Sequence, residues 1–376
     1  MCHKRRSRVL WHSEVTGFCM DHGKTVDYEI TEFHTQRGSI RCCDSLAYMK
    51  EHMEDECCDL IFTSPPFALV RRKDYGNEKE EDYVKWFRDF GIQFHRILKT
   101  NGSLVIDIGG SWIPGQPTRS LYHFELAIML CRDLGFHLAQ EFYWWNPAKL
   151  PTPAEWVTVR RIRVKDAVNT VYWFSKSPWP RASNRRVLAP YSESMKGLLK
   201  NGYKARLRPS GHDISDKFAT NNGASIPPNL LAIPNTESNS FYLRYCKDKG
   251  LKPHPARFPA TLPEYFIRML TDEGDFVFDP FAGSSVTGEV CERLKRSWLC
   301  CEILPDYVLG AMGRFSAEAS SLTDRKEAES YRVPSSASLW KDDLFTDASE
   351  LATDGGLNHQ RRRKSRNAKT TSGKTR

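Results

Sequence analysis

The stretch FVFDPFAGSSVTGEV, residues 276–290, decides the fold. A short apolar run ends in an acid, turns through Gly283, and enters helical spacing near Val286. A strand, a glycine turn and a helix in that order turn backbone N–H groups and a helix N-terminus toward a polar or anionic ligand. Nineteen residues beyond Gly283, Glu302 closes the next apolar run, SWLCCEI. An acid at that position accepts hydrogen bonds from the ribose hydroxyls of a nucleoside. The turn lacks the G-x-G-x-x-G of dinucleotide sites, and taken alone it is equally an ordinary strand–helix connection.

Outward from this stretch the same rhythm repeats. SIRCCD, DLIFT, SLVIDIGG, HLAQEFYWW and NTVYWFSK have strand composition. SLAYMKEHM, EEDYVKWFRDFGIQFHRILK and SLYHFELAIMLCRDLG lie between several of them with helical character. In the second helix Tyr83, Phe87, Phe90, Phe94, Ile97 and Leu98 form one stripe, which stops at Asn101-Gly102. Strands separated by such helices predict an α/β, doubly wound, mostly parallel sheet. Residues 177–250 interrupt it with Pro, Ser, Asn and Gly, yet keep Tyr191, Tyr203, Phe218, Leu230, Phe241, Tyr242 and Tyr245. The expected organisation is an N-terminal extension (1–38), a sheet half (39–176), an inserted loop-rich module (177–250), a second sheet half (251–318), and a disordered basic tail (319–376).

Charge is unevenly spread. The net +9 includes eight Lys/Arg and no acid in 361–376, and twelve Lys/Arg against five Asp/Glu in 177–250, leaving the rest net acidic. A basic insert and tail on an acidic body fit a polyanion partner, or else a solvated surface. No apolar run approaches the roughly 20 residues that cross a bilayer, and no apolar segment follows the basic N-terminus. No membrane role is expected. The eleven cysteines contain no C-x-x-C, so neither a zinc site nor any other metal is expected, and neighbouring pairs such as Cys300-Cys301 look like reduced thiols. A cytoplasmic location is expected, nucleoid-associated in a bacterium and nuclear in a eukaryote.

A second motif is Ser64-Pro65-Pro66-Phe67, which leaves the apolar run DLIFT. Two prolines stiffen the backbone and remove two N–H donors. The Ser64 hydroxyl and a proline carbonyl can together hold an exocyclic amino group, while Phe67 offers a face for a flat heterocycle. In isolation the motif reads better as a Pro-Pro turn with a core phenylalanine.

Together the two motifs resemble the S-adenosylmethionine-dependent amino-methyltransferases. The chain is similar to the DNA cytosine-N4 methyltransferases in the permuted order, with the catalytic motif before the cofactor motif. Within them the likeness is to PvuII-type modification methylases. It extends over most of residues 39–315, through TSPPFAL, DYGN, YVKWF, FYWWNPAKLP, RIRVKDAVNTVYWFSK, VLAPYS, RPSGHDI, ASIPPNLL and HPARFPATLPEYFIRMLT. The resemblance implies an S-adenosylmethionine site at Phe281, Gly283 and Ser284, with Asp279 beside it, Glu302 for the ribose and Asp44 for the adenine amino group. His254, Arg257, Phe258 and Pro259 would line the methionine end. Residues 177–250 would be the target-recognition region. Ser285 stands where the broader signature has a second glycine, Phe67 where tyrosine is commoner, and the tail has no counterpart.

The expected reaction moves the sulfonium methyl to N4 of a cytosine flipped out of duplex DNA. Asp107, ending the strand after that of Ser64, is the candidate to polarise Ser64 and take up the proton; capping Gly109-Gly110 is the other role open to it. Arg160, Arg161, Arg163 and Lys165 form a run suited to phosphates, although such runs are often merely solvated. Arg206, Arg208, His212 and Asp213 are candidates for base edges. By resemblance CAGCTG is the first target to test, and a restriction endonuclease sharing that site is a possible companion. Adenine N6 is the rival acceptor, with Asp or Asn usually heading its tetrapeptide. Cytosine C5 needs a nucleophilic cysteine after proline, and none is present. An inactive DNA-binding protein on the same fold is the remaining alternative.

Overall fold

The computed structural model describes residues 20–21, 24–25, 32–68, 80–202, 206–207, 213–214, 220–236 and 240–315. The expected basic tail lies outside them. Nine strands form the main sheet. In chain order they are Glu32–His34 (β3), Gly38–Cys42 (β4), Cys58–Thr63 (β5), Leu98–Ile108 (β6), His137–Trp145 (β7), Val168–Ser175 (β8), Leu230–Ala232 (β11), Phe276–Asp279 (β12) and Ser297–Glu302 (β13). Two isolated strand pairs complete the numbering: Met20–Asp21 (β1) with Lys24–Thr25 (β2), and Arg206–Leu207 (β9) with Asp213–Ile214 (β10).

The spatial order is β11-β7-β8-β6-β5-β12-β13-β4-β3. Strands β6, β5, β12, β13 and β4 pair in parallel, whereas β8 runs antiparallel to both its neighbours and β3 antiparallel to β4. All six residues of β5 are buried, as expected for a parallel strand covered on both faces. Its alternation sorts the core: Leu60 and Phe62 face one cluster and Ile61 the other, which Cys58 joins because a register shift lies between Cys58 and Leu60.

The second cluster is covered by the helices Ser45–His52 (α1), Glu80–Ile97 (α2) and Tyr122–Arg132 (α3). On α2 the expected stripe is buried at Tyr83, Phe87, Phe90, Phe94 and Ile97, each ring contributing roughly 1.5–3 kcal/mol. The first cluster is covered by Thr261–Leu270 (α6), Val286–Arg293 (α7) and Pro305–Ala311 (α8). The α2 helix gives way to β6 at Leu98 rather than at Asn101-Gly102, because Leu98 already pairs with Cys58 and a register shift follows.

Of the expected insert, only Pro190–Gly223 separates as a compact unit. It holds the helix Glu193–Asn201 (α4), capped by the Ser192 hydroxyl. Ala189 and Ser225 exchange backbone hydrogen bonds of 2.9 and 2.8 Å, so the chain leaves and re-enters the larger unit at one place. β11 then adds to the edge of β7, and the helix Phe241–Asp248 (α5) buries Tyr242 and Cys246 within the larger unit. Residues 32–34, expected in an extension, supply β3.

β5 and β12 are adjacent and parallel, but the chain leaves β5 through α2 toward β6 and leaves β12 through α7 toward β13. Their carboxyl ends therefore flank the crevice where doubly wound sheets take ligands. Across it Thr63 Oγ1 donates to Asp279 Oδ1 at 2.8 Å, while Thr287 Oγ1 donates to Asp279 Oδ2 at 2.6 Å. Thr63→Val keeps the shape and removes one donor from a buried carboxylate; it is expected to cost about 1–3 kcal/mol, read as a lower urea midpoint with an unchanged slope.

Candidate active site

A cavity of about 970 Å³ opens over the carboxyl ends of β4, β5, β12 and β13. Ser64, Pro65, Pro66 and Phe67 line one side, and Pro280, Phe281, Ala282 and Gly283 another. The two motifs, more than two hundred residues apart in sequence, thus face one space.

At the Ser-Pro-Pro-Phe corner, Ser64 Oγ donates to Asp107 Oδ2 at 3.1 Å. Asn169 Nδ2 donates to Asp107 Oδ1 at 3.2 Å. Asn169 is available because β8 runs antiparallel beside β6, pairing Val171 with Asp107 and Thr170 with Ile108. Burial pushes the Asp107 carboxyl up to about 6, against the pull of Asn169, Ser64 and the Lys149 charge. Phe67 lies so close over Gly109 that a Cβ there would stand 2.6 Å from its ring. Tyr122 donates its hydroxyl to the Gly109 carbonyl. Gly109 is therefore the floor on which the Phe67 ring rests, rather than a residue capped by Asp107.

On the other side, the turn after β12 is held from beneath. The Phe281 N–H donates to Asp279 at 3.1 Å, and Asp279 is buried and absent from the cavity wall. Ser284 is also buried, with its hydroxyl accepting from Arg314 at 3.1 Å. These two residues, expected at the cofactor, shape the turn from inside. Gly283 has φ +54°, and a Cβ on it would meet the His254 ring at 3.0 Å, so the position demands glycine twice over. Ser285 adopts φ +55° without a glycine's freedom. Its side chain sits where Gly288 leaves room, since a Cβ there would fall 2.6 Å from Ser285 Oγ.

Glu302 accepts the Gly283 N–H at 2.8 Å through Oε2 and the Leu304 N–H at 2.9 Å through Oε1. Burial pushes its carboxyl up to about 7. Asp44 caps α1, its Oδ1 accepting from Leu46 and Ala47 N–H at 2.8 and 3.0 Å, and it lines the cavity. His254, Arg257 and Phe258 line it too, whereas Pro259 does not. Burial holds the His254 imidazole near 4, hence neutral, with Nδ1 2.5 Å from the Ala256 carbonyl. Arg257 bonds the His254 carbonyl, and the Phe258 ring meets Phe62 edge-on at 5.5 Å.

Several wall residues were not singled out from the sequence: Asp82, Trp86, Phe90, Asn146, Lys149 and Asn169. Trp86 and Phe90 hold the Phe281 ring at 5.8 and 4.9 Å. The motifs YVKWF and NPAK carry the signal for Trp86, Asn146 and Lys149, but Asn169 depends on strand pairing. The basic run divides. Arg163 ion-pairs with Asp166 at 3.3 Å and lies over Trp112, and Lys165 donates to the carbonyls of Pro147 and Lys149. Arg160 pairs with Glu155 at 2.7 Å, while Arg160 and Arg161 are exposed. Arg206 and Asp213 lie in β9 and β10; Arg208 and His212 lie outside the described residues.

An aromatic wall for a flat purine, an acid with lone pairs to spare at the end of β13, and a glycine turn between them fit an adenosyl ligand. Set beside an amino-group corner at the switch point of this sheet, they define an S-adenosylmethionine-dependent methyltransferase. A family model described as DNA methylase (N6_N4_Mtase) matches residues 58–312. The type II methyltransferase M.PvuII of Proteus hauseri is 52% identical over 286 residues, covering 75% of this chain and 85% of that protein. M.HpaI of Haemophilus parainfluenzae is 24% identical, covering 74% of each. The solved structure of PvuII DNA methyltransferase (cytosine-N4-specific) superposes with a TM-score of 0.62 at 44% identity, covering 77% of this chain and 91% of that one. The chain belongs to this DNA methylase family.

Only an ionised Glu302 offers full acceptor strength to hydroxyls beyond its backbone partners. Because its carboxyl is raised to about 7, cofactor affinity should rise as pH climbs through that value, by roughly tenfold overall. Titration calorimetry with S-adenosylmethionine below and above neutrality checks this. Glu302→Gln should bind weakly at every pH.

Proposed function

We propose that the protein methylates the exocyclic N4 of a cytosine flipped out of duplex DNA, within a restriction-modification system. The observation that carries this is the chain Asn169–Asp107–Ser64 behind a Pro-Pro corner that faces the cofactor turn. Bound S-adenosylmethionine would supply an electrophilic methyl; Gly283 and Glu302 would hold its nucleoside, with Asp44 and Phe281 beside them.

Ser64 donates its proton to Asp107, so the lone pairs of its oxygen remain to accept from an amino N–H. A proline carbonyl takes the other N–H, since neither Pro65 nor Pro66 competes as a donor. Both contacts turn the amino nitrogen toward the cofactor side, and alignment of this kind is the main source of rate in a direct displacement. Phe67, fixed over Gly109, offers the ring for stacking. As nitrogen takes the methyl it loses a proton, which passes through Ser64 to Asp107, whose raised carboxyl is a better base than an exposed one. Asn169 holds that carboxylate's other oxygen and so orients it.

Serine at the head of the tetrapeptide favours cytosine over adenine. The 52% identity to M.PvuII supports the modification role and makes CAGCTG the first target. The compact unit 190–223 is the candidate for reading sequence, and the exposed Arg160 and Arg161 for meeting phosphates. Incubation with duplex DNA and labelled cofactor, followed by nucleoside analysis, should yield N4-methylcytosine in one sequence context. N6-methyladenine, or no transfer, would overturn the assignment.

A protonated Asp107 cannot take the proton, so kcat/KM should rise as pH is raised through about 6 and then level. In Asp107→Asn that limb should vanish and the rate fall by on the order of 10²–10⁴, with cofactor binding retained. An undiminished rate would remove Asp107 from the mechanism.

A further inference from the structure

The loop between β7 and β8 leaves the sheet at the catalytic corner, where Asn146, Lys149 and Ala167 line the cavity. Its backbone is bonded within the loop and to its neighbour. Asn146 N–H donates to the Ala167 carbonyl at 2.8 Å and Asp166 N–H to that of Thr152 at 3.0 Å. Lys165 Nζ reaches the Lys149 carbonyl at 3.1 Å, and Arg119 ties Asp166 to the neighbouring loop at 3.1 Å. A loop so well closed holds its outward side chains in place.

Those outward side chains are aliphatic. Leu150 is 75% exposed, Val159 68%, Ile162 59% and Val164 85%. A closed loop that shows four aliphatic side chains to water, with Arg163 turned onto Asp166 instead, marks a contact. Two of the four adjoin the cavity wall along the chain: Leu150 follows Lys149, which lines it, and Val164 precedes the Lys165 that donates to the Lys149 carbonyl. The exposed Arg160 and Arg161 on the same loop supply positive charge for a phosphate backbone.

We propose that Leu150 and Val164 form an apolar wedge that enters the base stack of duplex DNA as the target cytosine leaves it. This rests on the assignment of a flipped-out cytosine as substrate. Extruding a base costs a few kcal/mol and opens an apolar gap. Inserted aliphatic side chains are a known means of filling such gaps between base steps. Arg160 and Arg161 match the flanking phosphates, which selects DNA over an apolar protein surface as the occupant.

The test compares wild type with the double variant Leu150→Ser, Val164→Ser on two duplexes. Both carry the site that the wild type methylates; in the second, the target cytosine faces an abasic position and is already loosened. The variant should lose about tenfold or more in kcat/KM on the paired duplex and recover to within about twofold of wild type on the abasic one. Equal losses on both duplexes, or none on either, would overturn the wedge. So would a wild-type dimer that the variant dissociates in sedimentation, since the patch would then be a subunit interface. A wild type inactive on every duplex would instead overturn the methyltransferase assignment, and the wedge with it.

Discussion

Asp279 sits where the two arms of the site meet, and its two oxygens are shared among three elements. One accepts from Thr63 at the end of β5 and from the Phe281 N–H in the turn, and the other from Thr287 on α7. The ladder between β5 and β12 pairs only Leu60 with Val277 and Ile61 with Phe278. Beyond those residues the carboxylate continues the connection that backbone bonds leave off. Ser64 follows Thr63 directly, and Phe281 comes two residues after Asp279. The spacing between acceptor corner and cofactor turn is thus set by one buried group, in a reaction where misplacement by an ångström is costly. Burial raises that group to about 6, while the three donors pull the other way.

The catalytic corner is assembled differently, from strands that run in opposite directions. Ser64 follows β5, Asp107 ends β6, and Asn169 begins β8, which returns antiparallel. A purely parallel sheet would carry the far end of the third strand away from this edge. The reversal of β8 brings both its first residues and the loop before it to the place where chemistry occurs. The Asn169 amide and the exposed loop both follow from that one change of direction.

Much of this was legible in the sequence, for physical reasons. Six consecutive buried residues in β5 and the aromatic stripe of α2 leave patterns that no exposed segment would tolerate. Ser64, Gly283 and Glu302 could be found because their chemistry is local to a strand end. Asp279 and Ser284 adjoin the glycine turn in sequence, which shows adjacency and not orientation; both side chains are buried in the protein. Arg163 and Lys165 have the composition of phosphate ligands, yet Asp166 and Trp112 engage the first and two carbonyls the exposed second. Asn169 could not be found without knowing that β8 pairs antiparallel with β6. Similarly, the edges of the insert are hidden, since β11 and α5 are short and stand between loop-like segments such as NNGASIPPN and PNTESNS.

The paired backbone bonds between Ala189 and Ser225 have an evolutionary corollary. They make the departure and return of the chain a single doorway whose frame belongs to the sheet unit. Lengthening a segment hung on such a frame costs closure entropy that grows only with the logarithm of its length. The 34 residues from Pro190 to Gly223 are in that sense a cartridge: lineages can exchange or rebuild them while the reaction centre is inherited intact.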